Sequence, residues 1–86
     1  MYFVYVLRSD IFDRTYTGMT SNLETRLRQH NNSENKSTKA YVPWRLIYKE
    51  EFDCRIEARK REKYLKSGIG REFIKKITIR PRGATE

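Results

Sequence analysis

Tyr2-Phe3-Val4-Tyr5-Val6-Leu7, near the start of this 86-residue chain, is an almost unbroken run of β-branched and aromatic residues. Such a run predicts a strand covered on both faces of its sheet, because a half-exposed strand alternates with polar residues. Ser9–Arg14 supplies turn residues, and a second strand is predicted around Thr15–Met19. The chain therefore begins with a predicted β-hairpin.

The middle of the chain predicts a helix, a loop and a third strand. Asn22 is a favourable N-cap because its side chain can accept a hydrogen bond from a free backbone N–H, and the helix is predicted through about His30. Asn31–Val42 is polar without a consistent period, which indicates a mobile loop. Trp44–Phe52 alternates in part after Pro43, which predicts the third strand.

The C-terminal part predicts two further helices. The first covers about Asp53–Lys66, with Gly68 as its C-terminal stop. A short third helix is predicted over Glu72–Ile77. The element order is β-β-α-β-α-α, so we expect a single domain over residues 1–80, followed by a flexible tail at 81–86.

The charge balance favours a polyanionic partner. Lys and Arg number 19 against 11 Asp and Glu, giving a net charge of +8 at pH 7. The phosphate backbone of nucleic acid is the commonest such partner, and the basic residues crowd the C-terminal half of the chain. An anionic lipid surface is the competing interpretation, although no basic amphipathic stretch with a bulky apolar face supports it.

The location of the protein is predicted from what the sequence lacks. No apolar run approaches the roughly 20 residues that a membrane span needs, so no membrane partner is expected. The N-terminus lacks the basic-then-apolar arrangement of a signal peptide. Cys54 is the single cysteine and cannot form an internal disulfide, which fits a reducing compartment. A cytoplasmic location is therefore expected.

Two polar side chains share the predicted inner face of the first helix. At about 100° per residue, Leu23, Arg26, Leu27 and His30 fall within one arc of roughly 100°. An inward guanidinium needs an anionic partner because its desolvation costs several kcal/mol, and phosphate or Glu62 could serve. Alternatively, Arg26 lies at the rim with its head in water, and His30 is favourable as a cation at a helix C-terminus.

The remaining candidates also have structural alternatives. Glu62 flanks the apolar stripe of the second helix, but it could simply be a solvated partner of Lys66. Tyr5 and Tyr16 lie on predicted strands, where tyrosine is more often a core residue. Gly18 permits a close backbone approach, and the hydroxyls that follow it lie near a helix N-terminus, a natural phosphate seat.

Taken in order, five stretches of the chain resemble the GIY-YIG nuclease domain, and most closely its small stand-alone bacterial members. These stretches are Tyr2–Arg8, Tyr16–Thr20, Asn22–His30, Pro43–Tyr48 and Glu57–Lys66. The resemblance spans roughly residues 2 to 77. It implies an α+β fold in which a three-stranded antiparallel β-sheet is flanked by helices. Phe3 and Val4 stand where the family's first signature has glycine and isoleucine, and no Asn follows Asn35, whereas some larger relatives place one after the second helix.

The resemblance also implies site residues and a cofactor. Tyr5, Tyr16, Arg26, His30 and Glu62 match the family's catalytic positions, with Glu62 as the ligand of a single Mg²⁺ or Mn²⁺ ion. The implied chemistry is hydrolysis of a phosphodiester bond, in which Tyr5 activates water with its proton drawn toward a neighbour such as His30. The candidate nucleic-acid contacts are Gly18, Thr20, Arg28, Lys39, Arg61, Lys66 and Arg71.

Three hypotheses follow. The first is a metal-dependent endonuclease acting on nucleic acid, with DNA preferred over RNA. Relatives that cut defined sites carry additional recognition domains, so we expect weak specificity, recognition of DNA structure, or reliance on a homodimer or a recognition partner. The second is a nucleic-acid-binding module with little catalysis. The third is a protein-interaction scaffold that uses Ile11, Phe12 and the loop around Tyr41.

Overall fold

Residues 1–79 are described by a computed structural model, and the predicted tail at 81–86 and the predicted domain end at residue 80 lie outside them. The elements are β1 (Tyr2–Ser9), β2 (Thr15–Thr20), α1 (Leu23–Asn31), β3 (Trp44–Phe52), α2 (Arg55–Lys66) and α3 (Gly68–Ile79). This is the predicted order β-β-α-β-α-α, and the α+β prediction is confirmed. None of the helices in the described part has the length and hydropathy of a membrane span.

The three strands form one antiparallel sheet in the order β2-β1-β3. The central position of β1 explains its continuous apolar sequence, because α-helices cover both faces of the sheet there. The register places Tyr5 opposite Gly18 on β2 and opposite Lys49 on β3. A shift in the β1–β3 pairing lies between Val6 and Leu7.

Alternate residues of β1 serve two separate cores, one on each face of the sheet. Val4 and Val6 pack beneath α2 and α3 with Ala58, Leu65 and Ile74. The residues between them point to the opposite face, which is covered by α1 and by the chain before β3. That second core contains Tyr5, Leu7 and Trp44, with Leu23, Leu27 and Tyr41 packed against them. The phenol of Tyr5 is therefore buried on the α1 side of the sheet.

The junction of α2 and α3 differs from the prediction. Gly68 was expected to end α2 and the third helix to begin at Glu72, but Gly68 is the first residue of α3. Ser67 makes this possible, because its hydroxyl donates to the carbonyl of Tyr64 at 2.5 Å and accepts from the N–H of Gly70 at 3.3 Å. One side chain thus serves the end of one helix and the start of the next.

The segment between α1 and β3 is tied to the second core. It was predicted as a loop without regular structure, and it contains one 3-10 turn, Lys39–Tyr41. The side chain of Asn31 accepts from the backbone N–H of Trp44 at 2.6 Å and donates to its carbonyl at 3.1 Å. The indole N–H of Trp44 donates to the carbonyl of Thr38 at 2.9 Å. These bonds hold Thr38 against the sheet, where it is fully buried.

Candidate active site

A hydrogen-bonded row of three buried side chains lies at the centre of the second core. Tyr5 comes from the central strand, His30 from the last turn of α1, and Thr38 from the segment after it. The phenolic oxygen of Tyr5 lies 3.0 Å from Nε2 of His30, and Nδ1 of His30 lies 2.8 Å from Oγ1 of Thr38. All three residues are at most 1% exposed. Such burial requires that each polar atom be paired, which fixes the three side chains relative to one another.

Tyr16 on β2 completes an aromatic group around the imidazole. Its ring centroid lies 4.9 Å from that of His30 and 6.3 Å from that of Tyr5. Tyr16 is half-buried, so its ring meets both the histidine and the surface of the protein. The two tyrosines predicted from the sequence are therefore brought together, one inside the site and one at its edge.

Gly18 leaves the space that the Tyr5 phenol occupies. A Cβ atom at this position would lie 2.5 Å from the phenolic oxygen and 2.7 Å from the adjacent ring carbon. No side chain other than hydrogen can be placed there while Tyr5 keeps its position. Gly18 therefore makes room for the phenol of Tyr5 in the same site.

Gly18→Ala is expected to destabilise the fold by about 1–3 kcal/mol, because the methyl group overpacks a buried site. Tyr5 must also move away from His30. Chemical denaturation and the near-ultraviolet circular dichroism of the tyrosines would measure both effects. Gly68→Ala is the matched control, since a Cβ atom there meets nothing within 4 Å. Equal stability of the two variants would contradict this packing role.

Arg26 places a positive charge beside the two phenols. Its hydrogen bond to Tyr5 is the main cause that raises the pKa of the guanidinium, and Tyr16 contributes further. Nη1 also donates to the side chain of Gln29 at 3.4 Å. Among the side chains that the structure describes, those of residues 1–77, Nε of Arg26 is the buried nitrogen or oxygen atom that has no hydrogen-bond partner. A buried donor without an acceptor is costly, so this atom marks a place where a ligand acceptor would be stabilised.

Burial decides the protonation of the two central groups. Desolvation raises the pKa of Tyr5 to about 12, although its hydrogen bond with Arg26 acts in the opposite direction. Desolvation also lowers the pKa of His30, and the charge of Arg26 lowers it further. At neutral pH the site therefore holds a protonated phenol next to a neutral imidazole. The positive charge of Arg26 does not produce a phenolate at rest, because burial raises the pKa of Tyr5 more than that charge lowers it.

Glu62 on α2 supplies the negative charge of the site. Its side chain is 13% exposed, and Oε2 accepts from Nζ of Lys66 at 3.1 Å. The carboxylate lies near enough to Tyr5 for its charge to contribute to the raised pKa of the phenol. Phosphate and Glu62 were the two partners considered for Arg26. Glu62 instead makes an ion pair with Lys66, as the structural alternative predicted, although its side chain is nearly buried.

The donor set around Glu62 suits a hard cation held by few protein ligands. In the part of the chain that the structure describes, no three His, Cys, Asp or Glu side chains come together as metal ligands. Mg²⁺ commonly binds through one or two carboxylates and completes its shell with waters and substrate phosphates. One nearly buried carboxylate fits such an ion, because waters and a substrate phosphate would supply the remaining oxygens.

A groove of about 730 Å³ runs from Tyr16 along the outer edge of β2. Its opposite wall is the α2–α3 junction, where Lys66, Arg71 and Lys75 contribute positive charge and Glu72 a single negative charge. β2, whose residues Thr15, Tyr16 and Thr17 line the groove, is an edge strand of the sheet. Two predicted nucleic-acid contacts, Lys66 and Arg71, therefore line one groove that begins at a candidate catalytic tyrosine.

The other predicted nucleic-acid contacts are dispersed. Arg28 and Lys39 are exposed. Thr20 bonds the backbone of Asn22 in both directions, with its hydroxyl donating at 3.3 Å and accepting at 3.1 Å. Arg61 pairs with Glu50 at 2.8 Å and stacks over a tyrosine ring, contacts that a structural role explains. For these four residues, nucleic-acid contact stays a prediction.

Thr38 is the site residue that the sequence did not identify. It lies in a polar stretch without periodicity, eight positions after His30, and nothing local indicates that its hydroxyl meets the imidazole. The nearest signal was Trp44, a large aromatic residue that needs a partner for its N–H. That partner is the carbonyl of Thr38.

The sheet is ordered β2-β1-β3 and carries two tyrosines and a histidine on one face. A glutamate comes from a helix on the other face. This combination defines a known class of protein. The chain matches the family model of the GIY-YIG catalytic domain over residues 1–73 and belongs to this family of nucleases. Within that class, it resembles proteins called UPF0213. The one from Clostridium perfringens is 42% identical over 67 residues, which cover 77% of this chain and 71% of that protein.

Two further relatives extend the comparison. The UPF0213 protein of Natronomonas pharaonis is 39% identical over 67 residues, covering 77% of this chain and 78% of that protein. The solution NMR structure of a UPF0213 protein from Bacillus halodurans superposes with a TM-score of 0.54 at 26% identity. That alignment covers 93% of this chain and 87% of the other. Small members of the family therefore share both the sequence pattern and the fold.

Proposed function

We propose that this protein is a metal-dependent endonuclease that hydrolyses phosphodiester bonds of DNA. The observation that carries the proposal is the unpaired, buried Nε of Arg26 beside two phenols. A phosphate oxygen is the acceptor that satisfies this donor, and a guanidinium is suited to the charge that develops on phosphorus. Family membership supplies the reaction class.

The anionic substrate is held by residues from three elements. Arg26 of α1 binds a phosphate oxygen through Nε, and the hydroxyl of Tyr16 orients the same phosphate from the edge of β2. Glu62 of α2 would hold a single Mg²⁺ or Mn²⁺ ion, which would supply Lewis-acid polarisation of the phosphate. A Glu62 carboxylate that held this ion would give up its bond to Lys66, whose ammonium group could then meet the DNA backbone.

Tyr5 and His30 handle the proton of the attacking water. The raised pKa of Tyr5 keeps its proton on the phenol at rest, and the lowered pKa of His30 keeps Nε2 free to receive it. The phenol O–H bond breaks, an N–H bond forms at Nε2, and the phenolate then takes a proton from water. The positive charge of Arg26 beside that oxygen stabilises the phenolate. Water deprotonated in this way attacks the phosphorus, the bond from phosphorus to the leaving sugar oxygen breaks, and that oxygen takes a proton from solvent.

The substrate runs along the groove at the edge of β2. Lys66 and Arg71 lie on its far wall, and a net charge of +8 favours DNA binding with a steep salt dependence. The cytoplasmic location and the choice between a homodimer and a recognition partner stay predictions from the sequence.

Cleavage of a labelled panel tests the proposed function. The panel comprises single-stranded, duplex, branched and flapped DNA together with RNA, each incubated with Mg²⁺, Mn²⁺ or EDTA. Products that require the metal support an endonuclease and reveal the preferred structure. The single carboxylate of the site favours one alternative, a nucleic-acid-binding module. That alternative predicts salt-sensitive binding in EDTA and no products with either metal.

Arg26→Lys is expected to lower the cleavage rate about a hundredfold, because the charge remains but the Nε donor is lost. Single-turnover rates at saturating enzyme would isolate this effect from binding. Arg45→Lys is a suitable control, since Arg45 makes a half-exposed pair with Asp10 at 3.0 Å on the loop after β1. An Arg26→Lys variant as fast as the control would show that Nε has no part in the reaction.

A further inference from the structure

We propose that Thr38 is a positioning residue that holds His30 in the tautomer protonated on Nδ1, so that Nε2 accepts the phenolic proton of Tyr5. The tautomer itself follows from the hydrogen bonds of the site and does not depend on the reaction. Its consequence for catalysis rests on the proposed function. Thr38 is therefore assigned a role that no sequence motif indicated.

The argument begins at the Thr38 end of the row. Oγ1 of Thr38 donates to the backbone carbonyl of Asn35 at 3.4 Å, and a carbonyl oxygen can only accept. A threonine hydroxyl carries one hydrogen atom, so after donating it can only accept from the imidazole. The 2.8 Å contact with Nδ1 is then an N–H donated by His30 to Thr38. A neutral imidazole has a single N–H, which leaves Nε2 as an acceptor.

The Tyr5 end is consistent with the same direction. The guanidinium of Arg26 lies beside the phenolic oxygen, and because a guanidinium can only donate, it offers the phenol no acceptor. The phenolic hydrogen therefore needs another acceptor. Nε2 of His30, 3.0 Å away, is positioned to take it. Donation thus runs from Tyr5 through His30 and Thr38 to the carbonyl of Asn35.

The opposite tautomer leaves a buried donor unsatisfied. With the proton on Nε2, His30 would donate to the phenolic oxygen of Tyr5. The hydrogen of that phenol would then lack the only acceptor that the described residues give it, and Tyr5 is 1% exposed. An unpaired buried donor carries a full desolvation penalty, so the row as a whole selects Nδ1 protonation.

The backbone at Thr38 is held independently of its hydroxyl. The indole of Trp44 bonds the carbonyl of Thr38, and Trp44 is in turn tied to Asn31. Thr38→Val therefore keeps the backbone anchor and most of the side-chain volume while removing the acceptor for Nδ1. Thr38→Ser keeps the hydroxyl and removes a methyl group. The pair separates hydrogen bonding from packing.

The tautomer can be measured directly, because His30 is the only histidine in the chain. Long-range ¹H–¹⁵N correlation spectra of uniformly ¹⁵N-labelled protein at pH 7.5 distinguish a protonated from an unprotonated ring nitrogen. We expect protonated Nδ1 and unprotonated Nε2 in the wild type and in Thr38→Ser. In Thr38→Val we expect the proton on Nε2 or a mixture of tautomers. Wild type protonated on Nε2, or Thr38→Val unchanged, would overturn the proposal, and the wild-type result stands even if a variant fails to fold.

Cleavage assays test the catalytic consequence separately. Thr38→Val is expected to lower kcat about tenfold with little change in KM, and Thr38→Ser to restore it, because the lost effect is part of acid–base catalysis. An unchanged kcat in Thr38→Val would overturn the catalytic role. A wild type that shows the expected tautomer but cuts nothing on the panel would support the positioning role while removing the proposed nuclease function.

Discussion

Glu62→Gln is expected to abolish metal-dependent cleavage, with a rate loss of at least about 10³-fold, while nucleic-acid binding persists. Glutamine is isosteric with glutamate but carries no charge, and a divalent ion requires an anionic oxygen where so few protein ligands are available. The fold should be unaffected, because the amide oxygen can still accept from Lys66, and an i,i+4 pair whose lysine is half-exposed contributes little to stability. Single-turnover cleavage with titrated Mg²⁺ or Mn²⁺ measures the loss.

Glu57→Gln is the matched control for this prediction. Glu57 lies in the first turn of the same helix, is exposed, and is favourable there through the helix dipole alone. It should cleave like the wild type and lose at most a few tenths of a kcal/mol in stability. If Glu62→Gln and Glu57→Gln cut equally well at low metal concentration, the metal is not held by Glu62 and the proposed site is wrong.

The fold could be predicted from the sequence because its signals are local. The apolar run of β1, the alternation of β3 and the N-cap at Asn22 each depend on residues close together in the chain. Asn22 accepts from the N–H of Thr25 at 3.1 Å, as its position predicted. The predicted start of α3 was wrong because Gly68 was interpreted as the end of α2. In the structure α3 begins at Gly68, and Ser67 caps it.

The candidate site could be predicted only in part, because its contacts join distant positions. Helical periodicity placed Arg26 and His30 on one face, but it could not show that His30 meets Tyr5, 25 positions away. The grouping of Tyr5, Tyr16, Arg26, His30 and Glu62 came from family resemblance. Thr38 had no such source, since its role arises from a loop that a tryptophan ties to the sheet. A contact of this kind leaves no periodicity in the sequence.

Protonation was the property least accessible from the sequence. A free phenol is a poor base unless nearby positive charge lowers its pKa, and Arg26 does lie beside Tyr5. The structure shows that burial dominates, so the pKa of the phenol rises to about 12. A base with that pKa works only if its own proton has somewhere to go, which makes His30 as important to the proposed chemistry as Tyr5 itself.

Tyr5→Phe is expected to lower kcat about 10³-fold, the range that loss of a general base gives. The variant should fold, because the ring keeps its packing, but it should lose about 1–3 kcal/mol because Nε2 of His30 loses its buried partner. Single-turnover cleavage and urea denaturation measure the two effects. Tyr48→Phe is the matched control, since Tyr48 lies on the opposite face of the sheet and burial raises its pKa too.

The pH dependence of cleavage distinguishes a base from a packing residue. Because burial lowers the pKa of His30, the imidazole stays neutral until the pH falls below about 6.5, the ordinary pKa of histidine. Wild-type cleavage should therefore hold through neutral pH and decline only on more acidic titration, as Nε2 is protonated and can no longer receive the phenolic proton. In Tyr5→Phe, the residual cleavage should lack this acidic decline, because no proton passes to Nε2. If both proteins showed the same decline, protonation of His30 would affect cleavage independently of Tyr5, and the phenol would not have its proposed role.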